Sequence, residues 1–429
     1  MMDLITYPST DQWAEVVKRP AADRTNLTET VCDILRHIEE EGDRALLAYE
    51  ERFDKVRLST PVVSPEEMDE AESLLSDELK SSIRLAAHNI ATFHEAQRFE
   101  GKKVETSPGV VCWQKAVPIE RVGLYIPGGT APLFSTVLML AIPARIAGCR
   151  RVILCTPPGK DGKVHPATLF AARVAGVDSI FKAGGVQAIG AMAYGTESIP
   201  RVYKIFGPGN QYVTAAKQWV SLHGVAIDLP AGPSEVEVLA DDSANPVFVA
   251  SDLLSQAEHG VDSQAVLITT SPVLAEKVKA EVECQLPLLP RKDIAARSLD
   301  NSKLVVVHDM QEALALTNEY APEHLIIESD EPHAIASGVI NAGSVFLGHY
   351  APESAGDYAS GTNHTLPTNG YAKAYSGVCL DSFIRKITFQ EITPAGLQTI
   401  GPAIESMAFA EGLDGHKRAV SLRLGRVDA

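Results

Sequence analysis

Residues 121–210 decide the fold through four segments: RVGLYIPGG (121–129), RVILCTPP (151–158), SIFKAGG (179–185) and KIFGPGN (204–210). Each segment begins with a short apolar, often β-branched run and ends in small or turn-forming residues, and helical patterns separate the segments. Strands that alternate with helices predict right-handed crossovers and a mostly parallel sheet. In such sheets ligands bind just beyond the carboxyl ends of the strands, which is where these glycines lie.

A second alternating series follows, with runs VEVLA (236–240), AVLIT (265–269), KLVVV (303–307), LIIES (325–329) and SVFLG (344–348). We therefore predict an α/β protein with two mostly parallel sheets, a helical N-terminal region and a small helical C-terminal tail. The predicted boundaries are a helical region at 1–120 that packs on the second α/β unit, α/β units at 121–238 and 239–379, and a tail at 380–429.

Composition narrows the class of protein. The chain has 429 residues, a net charge of −17, 45% hydrophobic and 22% charged residues, which excludes disordered, collagen-like and coiled-coil proteins. The acidic balance argues against nucleic-acid and membrane partners.

The apolar segment APLFSTVLMLAIPA (131–144) is too short for a membrane span and is predicted to be a buried helix. We find no secretory signal and no CxxC pair, so the six cysteines indicate reduced thiols and a cytoplasmic protein.

The glycine turns match neither GxGxxG nor GxxxxGK[ST]. Each turn alone is better explained by strand-to-helix geometry, although four at one sheet edge favour a ligand there. Gln256 and His259 lie three apart and share a helix face, so both can reach one ion. A neutral amide is a weak zinc ligand, however, and a polar helix end stopped by Gly260 explains the same residues.

Glu323 and His324 are adjacent at a predicted helix-to-strand junction and form a plausible acid–base pair, but two such residues alone favour a surface loop. The segment ESAGDYASGTNH (353–364) carries two carboxylates and one imidazole with almost no aliphatic bulk. This composition is typical of a loop shaped around a ligand or metal. Glu411 and His416 lie in the tail, where a lone histidine is usually a solvated surface residue.

Taken together, these segments closely resemble histidinol dehydrogenase over nearly the whole chain. The matching segments are GLYIPGGTAPLFSTVLM (123–139), KIFGPGNQYV (204–213), DLPAGPSEV (228–236), DLLSQAEHG (252–260), APEHLI (321–326) and GDYASGTNH (356–364). The resemblance implies an enzyme that uses Zn²⁺ and NAD to oxidise L-histidinol to L-histidinal and then to L-histidine. It also implies incomplete Rossmann-like units, with NAD on the first unit and zinc and the catalytic residues on the second.

The resemblance assigns roles residue by residue. The implied zinc ligands are Gln256, His259, Asp357 and His416. The implied catalytic residues are Glu323 and His324. The implied substrate contacts are Ser234, Gln256, His259, His324, Asp357, Glu411 and His416, with His364 as a further neighbour. The implied NAD contacts are Tyr125, Gln187 and Asn210. The resemblance further implies a homodimer in which the tail completes the active site of the partner subunit.

The chemistry of these residues suits the implied reaction. A neutral His324 can accept the hydroxyl proton of the alcohol, and Glu323 can activate the water that adds to the aldehyde. Zinc would mainly orient the substrate. A cysteine thiohemiacetal is the rival route for aldehyde oxidation, but no cysteine lies in the motif-bearing loops, so we favour direct hydration.

Two alternatives remain open from the sequence. A relative with the same machinery could act on another small polar alcohol, such as a sulfonated diol, although Glu411 suits an ammonium group of the substrate. A zinc-stabilised binding or structural protein without catalysis is a second alternative. The presence of both Glu323 and His324 argues against that one.

Overall fold

The computed structural model describes residues 2–20, 27–128, 132–230 and 232–426. These residues form two compact units. The first unit runs to Gln97 and resumes at Ile119–Ser382, and the second comprises Arg98–Pro118 and the chain from Phe383 onward. Both predicted α/β regions lie within the first unit, and the four boundaries drawn from the sequence stay a prediction.

The helices alternate with strands through most of the first unit, and the last two helices belong to the second unit. They are α1 (Trp13–Val16), α2 (Leu27–Glu41), α3 (Asp43–Tyr49), α4 (Pro65–Ser73), α5 (Asp77–Glu95), α6 (Phe134–Ala147), α7 (Pro166–Val174), α8 (Gly185–Tyr194), α9 (Gln211–Leu222), α10 (Pro246–Ala257), α11 (Pro272–Gln285), α12 (Lys292–Leu299), α13 (Met310–Tyr320), α14 (Pro332–Ala336), α15 (Glu353–Tyr358), α16 (Pro394–Ala410) and α17 (Asp414–Arg423).

The strands are β1 (Asp3–Thr6), β2 (Val104–Ser107), β3 (Val110–Pro118), β4 (Arg121–Tyr125), β5 (Arg151–Thr156), β6 (Ser179–Lys182), β7 (Lys204–Phe206), β8 (Ala226–Ile227), β9 (Glu235–Ala240), β10 (Gln264–Thr269), β11 (Lys303–Val306), β12 (His324–Glu328), β13 (Ser344–Leu347) and β14 (Ile384–Ile392).

Two parallel sheets form the body of the first unit. The first sheet has the order β6-β5-β4-β7-β8, and the second has the order β1-β11-β10-β9-β12-β13. All neighbouring strands within them are parallel. The predicted α/β class with mostly parallel sheets is therefore confirmed.

The N-terminal helices pack differently from the prediction, which placed them on the second α/β unit. Helix α2 packs on α8 and α9, and α5 packs on α6 and α7, all of which flank the first sheet. The apolar stripe of α2 explains this placement, because Leu35 and Ile38 approach Gly190 on α8 closely. A Cβ at Gly190 would lie 3.1 Å from Leu35 Cδ2. Among the described residues, β1 pairs within the second sheet and Val16 and Val17 pack beside it. Helix α5 also contacts the predicted second unit, since Asn89 donates to the carbonyl of Ala359 at 2.8 Å.

Helix α6 confirms the prediction of a buried helix at 131–144, since every residue from 135 to 144 is buried. Ala131 itself lies outside the described residues. No helix among the described residues is long and apolar enough to cross a membrane.

The second unit contains an antiparallel sheet that the sequence analysis did not predict. Its order is β14-β3-β2, and β14 pairs with β3 along nine residues. The turn Ser107-Pro108-Gly109 connects β2 to β3, and Gly109 adopts φ +77°. The tail is helical in α16 and α17, as predicted, but it begins with the long strand β14.

A buried ion pair holds the glycine turn after β7. Lys217 Nζ donates to the carbonyl of Gly207 at 2.8 Å and contacts the carboxylate of Asp228, which accepts from Gly207 N at 2.7 Å. Gly207 is required, because its φ is +126° and a Cβ there would lie 1.9 Å from Tyr125 O. The turn is therefore fixed from two sides.

We expect Lys217→Met to lower the free energy of unfolding by about 3–5 kcal/mol, because it leaves the Asp228 carboxylate buried without its partner. Lys303→Met is the matched control: its partner Asp3 is 69% exposed, so the loss should stay below about 1 kcal/mol. Urea unfolding measures both. Equal losses in the two variants would contradict the structural role given to the Lys217 pair.

Candidate active site

Glu323 and His324 lie where α13 turns into β12, at the amino ends of strands β9 and β12. Ala321 makes this turn with a positive φ of +53°. Both side chains are held by one residue of the neighbouring strand: Glu235 N donates to Glu323 Oε2 at 3.0 Å, and Glu235 O lies 3.2 Å from His324 Nδ1. The pair thus sits at the opposite edge from the one at which ligands were expected.

The hydrogen bond at Nδ1 fixes the tautomer of His324. A carbonyl oxygen only accepts, so Nδ1 carries the proton and Nε2 keeps its lone pair. Nε2 is buried, has no hydrogen-bond partner among the described residues, and lies 3.7 Å from Asp357 Oδ1. Burial lowers the pKa of His324 to about 4. The ring is therefore neutral at physiological pH and can accept a proton at Nε2.

Glu323 has the opposite shift. Burial raises its pKa well above the usual value, and the carboxylates of Glu235 and Asp357 add to the rise. The hydrogen bonds from Glu235 N and the Ser234 hydroxyl oppose it. A carboxylate with a raised pKa holds a proton more strongly than an exposed glutamate, which suits a general acid–base group.

Three ligating side chains meet beside this pair. One atom each of His259, Glu353 and Asp357 lies within 4.8 Å of the others. His259 follows the end of α10, the helix that leads from the carboxyl end of β9 back to the amino end of β10, and α10 packs on α15. An imidazole and carboxylates form a ligand set that suits zinc and other divalent cations.

Gln256 supplies an independent sign that a ligand belongs here. Its side chain is fully buried one turn before His259, and neither its amide oxygen nor its amide nitrogen has a partner among the described residues. A buried amide without hydrogen bonds is costly, so a missing partner is expected. A metal ion bound by the amide oxygen would supply a partner for that oxygen, although not for the amide nitrogen.

The sequence analysis did not assign Glu353 a role. It treated 353–364 as a loop, whereas residues 353–358 form α15 and put Glu353 and Asp357 on one face, four residues apart. Glu353 Oε1 lies 3.5 Å from His324 Nδ1, and Oε2 accepts from Ser255 Oγ at 3.3 Å. The i, i+4 spacing of the two carboxylates is the signal that could have identified it.

His364 is held at both ring nitrogens. Nδ1 lies 2.9 Å from the carbonyl oxygen of Asp357, and Nε2 lies 3.0 Å from Thr136 Oγ1 on α6. The neighbouring Asn363 donates to the carbonyl of Met139 at 2.6 Å. The loop after α15 is therefore hydrogen-bonded to α6, the helix that follows β4.

The residues expected to contact NAD lie at the carboxyl edge of the first sheet, where the sequence analysis expected a ligand. Tyr125 Oη accepts from Gly185 N at 3.1 Å, and Gln187 donates to Glu50 Oε1 at 2.9 Å. Burial raises the pKa of Glu50 to about 7. Asn210 caps α9 by accepting from the backbone N–H groups of Tyr212 and Val213.

A cavity of about 450 Å³ opens at the same edge. It is lined by the turns after β4 and β5, among them Pro127, Gly128 and Pro157, and by Asp54. Its size is in the range of small-molecule and cofactor sites. Tyr125, Gln187 and Asn210 are not among the described residues that line it, and Gly129 lies outside the described residues.

The comparisons with known proteins agree on one family. The family model described as histidinol dehydrogenase matches residues 17–424. The histidinol dehydrogenase of Bacteroides thetaiotaomicron is 71% identical over 99% of both chains, and that of Photobacterium profundum is 50% identical over 98% of this chain and 94% of its own. A crystal structure of histidinol dehydrogenase from Elizabethkingia anophelis aligns with TM-score 0.97 at 53% identity, covering 99% of this chain and 98% of the other.

The chain belongs to the histidinol dehydrogenase family. The resemblance drawn from the sequence motifs is thereby confirmed, and so is the fold class. Membership in this family makes the protein an oxidoreductase of histidine biosynthesis.

The remaining two predicted site residues of this histidinol dehydrogenase family member lie in the second unit. Glu411 ends α16 and His416 lies in the first turn of α17, and both are exposed. The first unit therefore brings together Glu323, His324, His259 and Asp357, while Glu411 and His416 belong to a different compact unit.

Proposed function

We propose that the protein catalyses the zinc-dependent, NAD-linked oxidation of L-histidinol through L-histidinal to L-histidine. The observation that carries this proposal is the buried, unpartnered Nε2 of His324, which lies 3.7 Å from Asp357 Oδ1. Asp357 is one of three side chains that could hold a metal ion, and Nδ1 of the same ring lies 3.7 Å from Glu323 Oε2. A base without a partner next to a candidate cation site is what an alcohol oxidation requires.

Gln256, His259, Asp357 and His416 would hold the zinc ion. When bound, zinc supplies a Lewis-acid anchor for the nitrogen atoms of the substrate and fixes its orientation. The orphaned amide of Gln256 and the close approach of His259 and Asp357 support this ligand set. Burial and the Asp357 carboxylate raise the pKa of Glu353, and its Oε2 accepts a hydrogen bond from Ser255 Oγ at 3.3 Å beside these residues.

His324 would take the hydroxyl proton at Nε2 in both oxidations. Its Nδ1–H remains bound to the carbonyl of Glu235, which keeps the ring in one tautomer and orientation. The pKa of about 4 keeps the ring neutral before the proton arrives. Ser234 and His364, both close to this pair, are the further substrate contacts that we propose on the first unit.

Glu323 would activate the water that adds to the aldehyde. Its raised pKa makes the carboxylate a stronger base than an exposed glutamate. The cysteine route is disfavoured near the first sheet, since burial raises the pKa of the Cys149 thiol to about 12 and that of Cys155 further. A thiol with such a pKa is a poor nucleophile.

NAD would bind at the carboxyl edge of the first sheet and, when bound, accept the two electrons of each oxidation. The cavity beside Pro127 and Pro157 fits part of such a cofactor. Tyr125 and Gln187 support the turn that begins α8, and Asn210 presents the start of α9. These residues are the NAD contacts that we propose.

The active site would be shared between the two subunits of a homodimer. Apolar side chains of the second unit are exposed in the single chain, including Phe389 on β14, Met407 and Phe409. Exposed apolar patches of this kind mark interaction surfaces. We propose that they dock on the partner subunit, where Glu411 would meet the substrate and His416 the zinc ion.

We expect chelation to abolish activity and added Zn²⁺ to restore it, while circular dichroism shows the fold unchanged, because the core does not depend on the metal. Elemental analysis should find one zinc per chain in the native protein and a loss of zinc in His259→Ala and Asp357→Asn. The exposed His88 on α5 offers the control His88→Ala. Full turnover by metal-stripped protein would refute the zinc assignment.

The two catalytic roles predict different defects. The native enzyme should release two NADH for each L-histidinol, measured by absorbance. His324→Ala should slow both oxidations, whereas Glu323→Gln should slow L-histidinal oxidation more than L-histidinol oxidation, because only the aldehyde step needs an activated water. Equal damage to both half-reactions by Glu323→Gln would contradict this assignment, and no NADH at all from native protein would contradict the proposed function.

Sharing of the active site predicts complementation between inactive variants. Co-expressed Glu323→Gln and His416→Ala chains should recover about one active site per heterodimer, because one site then joins two intact contributions and the other carries both lesions. Heterodimers isolated with two different affinity tags measure this. If each tail serves its own subunit, every site carries one lesion and the heterodimer stays inactive.

A further inference from the structure

Arg19 makes a set of contacts behind the catalytic pair that the mechanism above does not use. Its guanidinium pairs with the carboxylate of Glu235, donates to the carbonyl oxygen of Tyr320 at 2.6 Å and reaches that of Ala321 at 3.4 Å. The group also stacks over the Tyr320 ring at 4.2 Å from its centroid. The side chain of Arg19 is 18% exposed and that of Glu235 only 2%.

These contacts join the two segments that carry the pair. Glu235 begins β9, and its backbone holds both Glu323 and His324. Tyr320 and Ala321 end α13, immediately before the pair, and Ala321 adopts the unfavourable left-handed conformation. A cation at a helix C-terminus satisfies carbonyl groups that lack an intrahelical partner. Arg19 therefore stabilises the turn and ties it to the strand that orients the catalytic side chains.

Both carboxylate oxygens of Glu235 have partners in this arrangement. One oxygen pairs with Arg19, and the other accepts from Asn369 N at 2.6 Å. Without Arg19 the buried carboxylate would keep one backbone N–H and lose its counter-charge, so it would move toward solvent or take up a proton. Either change acts on the residue whose N–H and C=O set the positions of Glu323 Oε2 and His324 Nδ1.

We propose that Arg19 is a positioning residue for catalysis, which fixes Glu323 and His324 by clamping the start of β9 to the end of α13. This inference rests on the proposed function. Arginine suits the task because its planar fork can bond a carboxylate and two carbonyl groups together, whereas the single ammonium of lysine cannot hold all three in one geometry.

Arg19→Lys tests the proposal, since it retains the charge opposite Glu235 and removes the fork. A displacement of about 1 Å in a catalytic group costs up to about 100-fold in rate, so we expect kcat to fall by about 10- to 100-fold. The KM for L-histidinol should change by less than about threefold, because the metal-ligating side chains are untouched. Zinc content should equal that of the native protein.

Arg145→Lys is a matched control. Arg145 also pairs with a carboxylate, that of Asp178, at 2.6 Å, and it donates to the carbonyl of Gly176 at 2.6 Å, but at the amino edge of the first sheet. Asp178 is 36% exposed and Glu235 only 2%, so Arg145→Lys should lose no more thermal stability than Arg19→Lys. Only Arg19→Lys should lose kcat when both are assayed well below their unfolding temperatures. A folded Arg19→Lys enzyme with the native kcat would overturn the proposal.

A crystal structure of Arg19→Lys provides a readout that does not need activity. We expect the 3.0 Å bond between Glu235 N and Glu323 Oε2 to break or lengthen and the Ala321 turn to shift. Native positions of both catalytic side chains in that variant would overturn the clamp even if kcat had fallen. Absence of L-histidinol oxidation by the native protein would instead contradict the proposed function, and the crystal structure would still decide the role of Arg19.

Discussion

The candidate active site depends on the backbone of Glu235 at the start of β9. One N–H and one C=O of this residue orient the carboxyl of Glu323 and the imidazole of His324. β9 is a central strand of the second sheet, paired with β10 on one side and β12 on the other, so two ladders hold its backbone. The geometry of the pair is thus set by the sheet together with the Ala321 turn, which Arg19 joins to Glu235 at the start of β9.

Burial then sets the protonation states that the chemistry needs. The same desolvation lowers the pKa of His324 and raises that of Glu323, because it penalises the charged form of each group. A neutral imidazole and a carboxyl of raised pKa result from one environment. The cost is visible in the unpartnered buried atoms of Gln256 and His324, which are polar groups that a ligand can satisfy.

The sequence predicted the elements with strong local patterns. The β-branched runs before Pro127, Gly184 and Gly207 became strands of a parallel sheet, and the apolar segment before Arg145 became a buried helix. It did not predict β2, β3 and β14. Strands β2 and β3 form a short hairpin, and β14 pairs with β3 from a distant part of the chain. It placed the N-terminal helices on the second α/β unit, whereas α2 packs on α8 and α9 and α5 contacts both α6 and the loop after α15. An apolar stripe shows that a helix packs but not on which partner.

The candidate site was predictable only where residue type and spacing are distinctive. Motif matching found Glu323, His324, His259 and Asp357, which lie close together in the structure. Glu353 and Arg19 were not found, since an acid in a polar segment and an arginine near the N-terminus are ordinary in any sequence. Their significance arises from long-range contacts, such as the pairing of Arg19 with Glu235.

The cavity and the catalytic pair lie at opposite ends of the strands in the two sheets of the first unit. The cavity lies at the carboxyl ends of β4 and β5, whereas Glu323 and His324 lie at the amino ends of the second sheet. Helix α6 links them, since it follows β4 and bonds the loop after α15 through Thr136 and His364. A redox enzyme must bring its cofactor to the carbon that loses hydride while its base takes the hydroxyl proton. Because α6 contacts both sides, it sets their separation within the first unit.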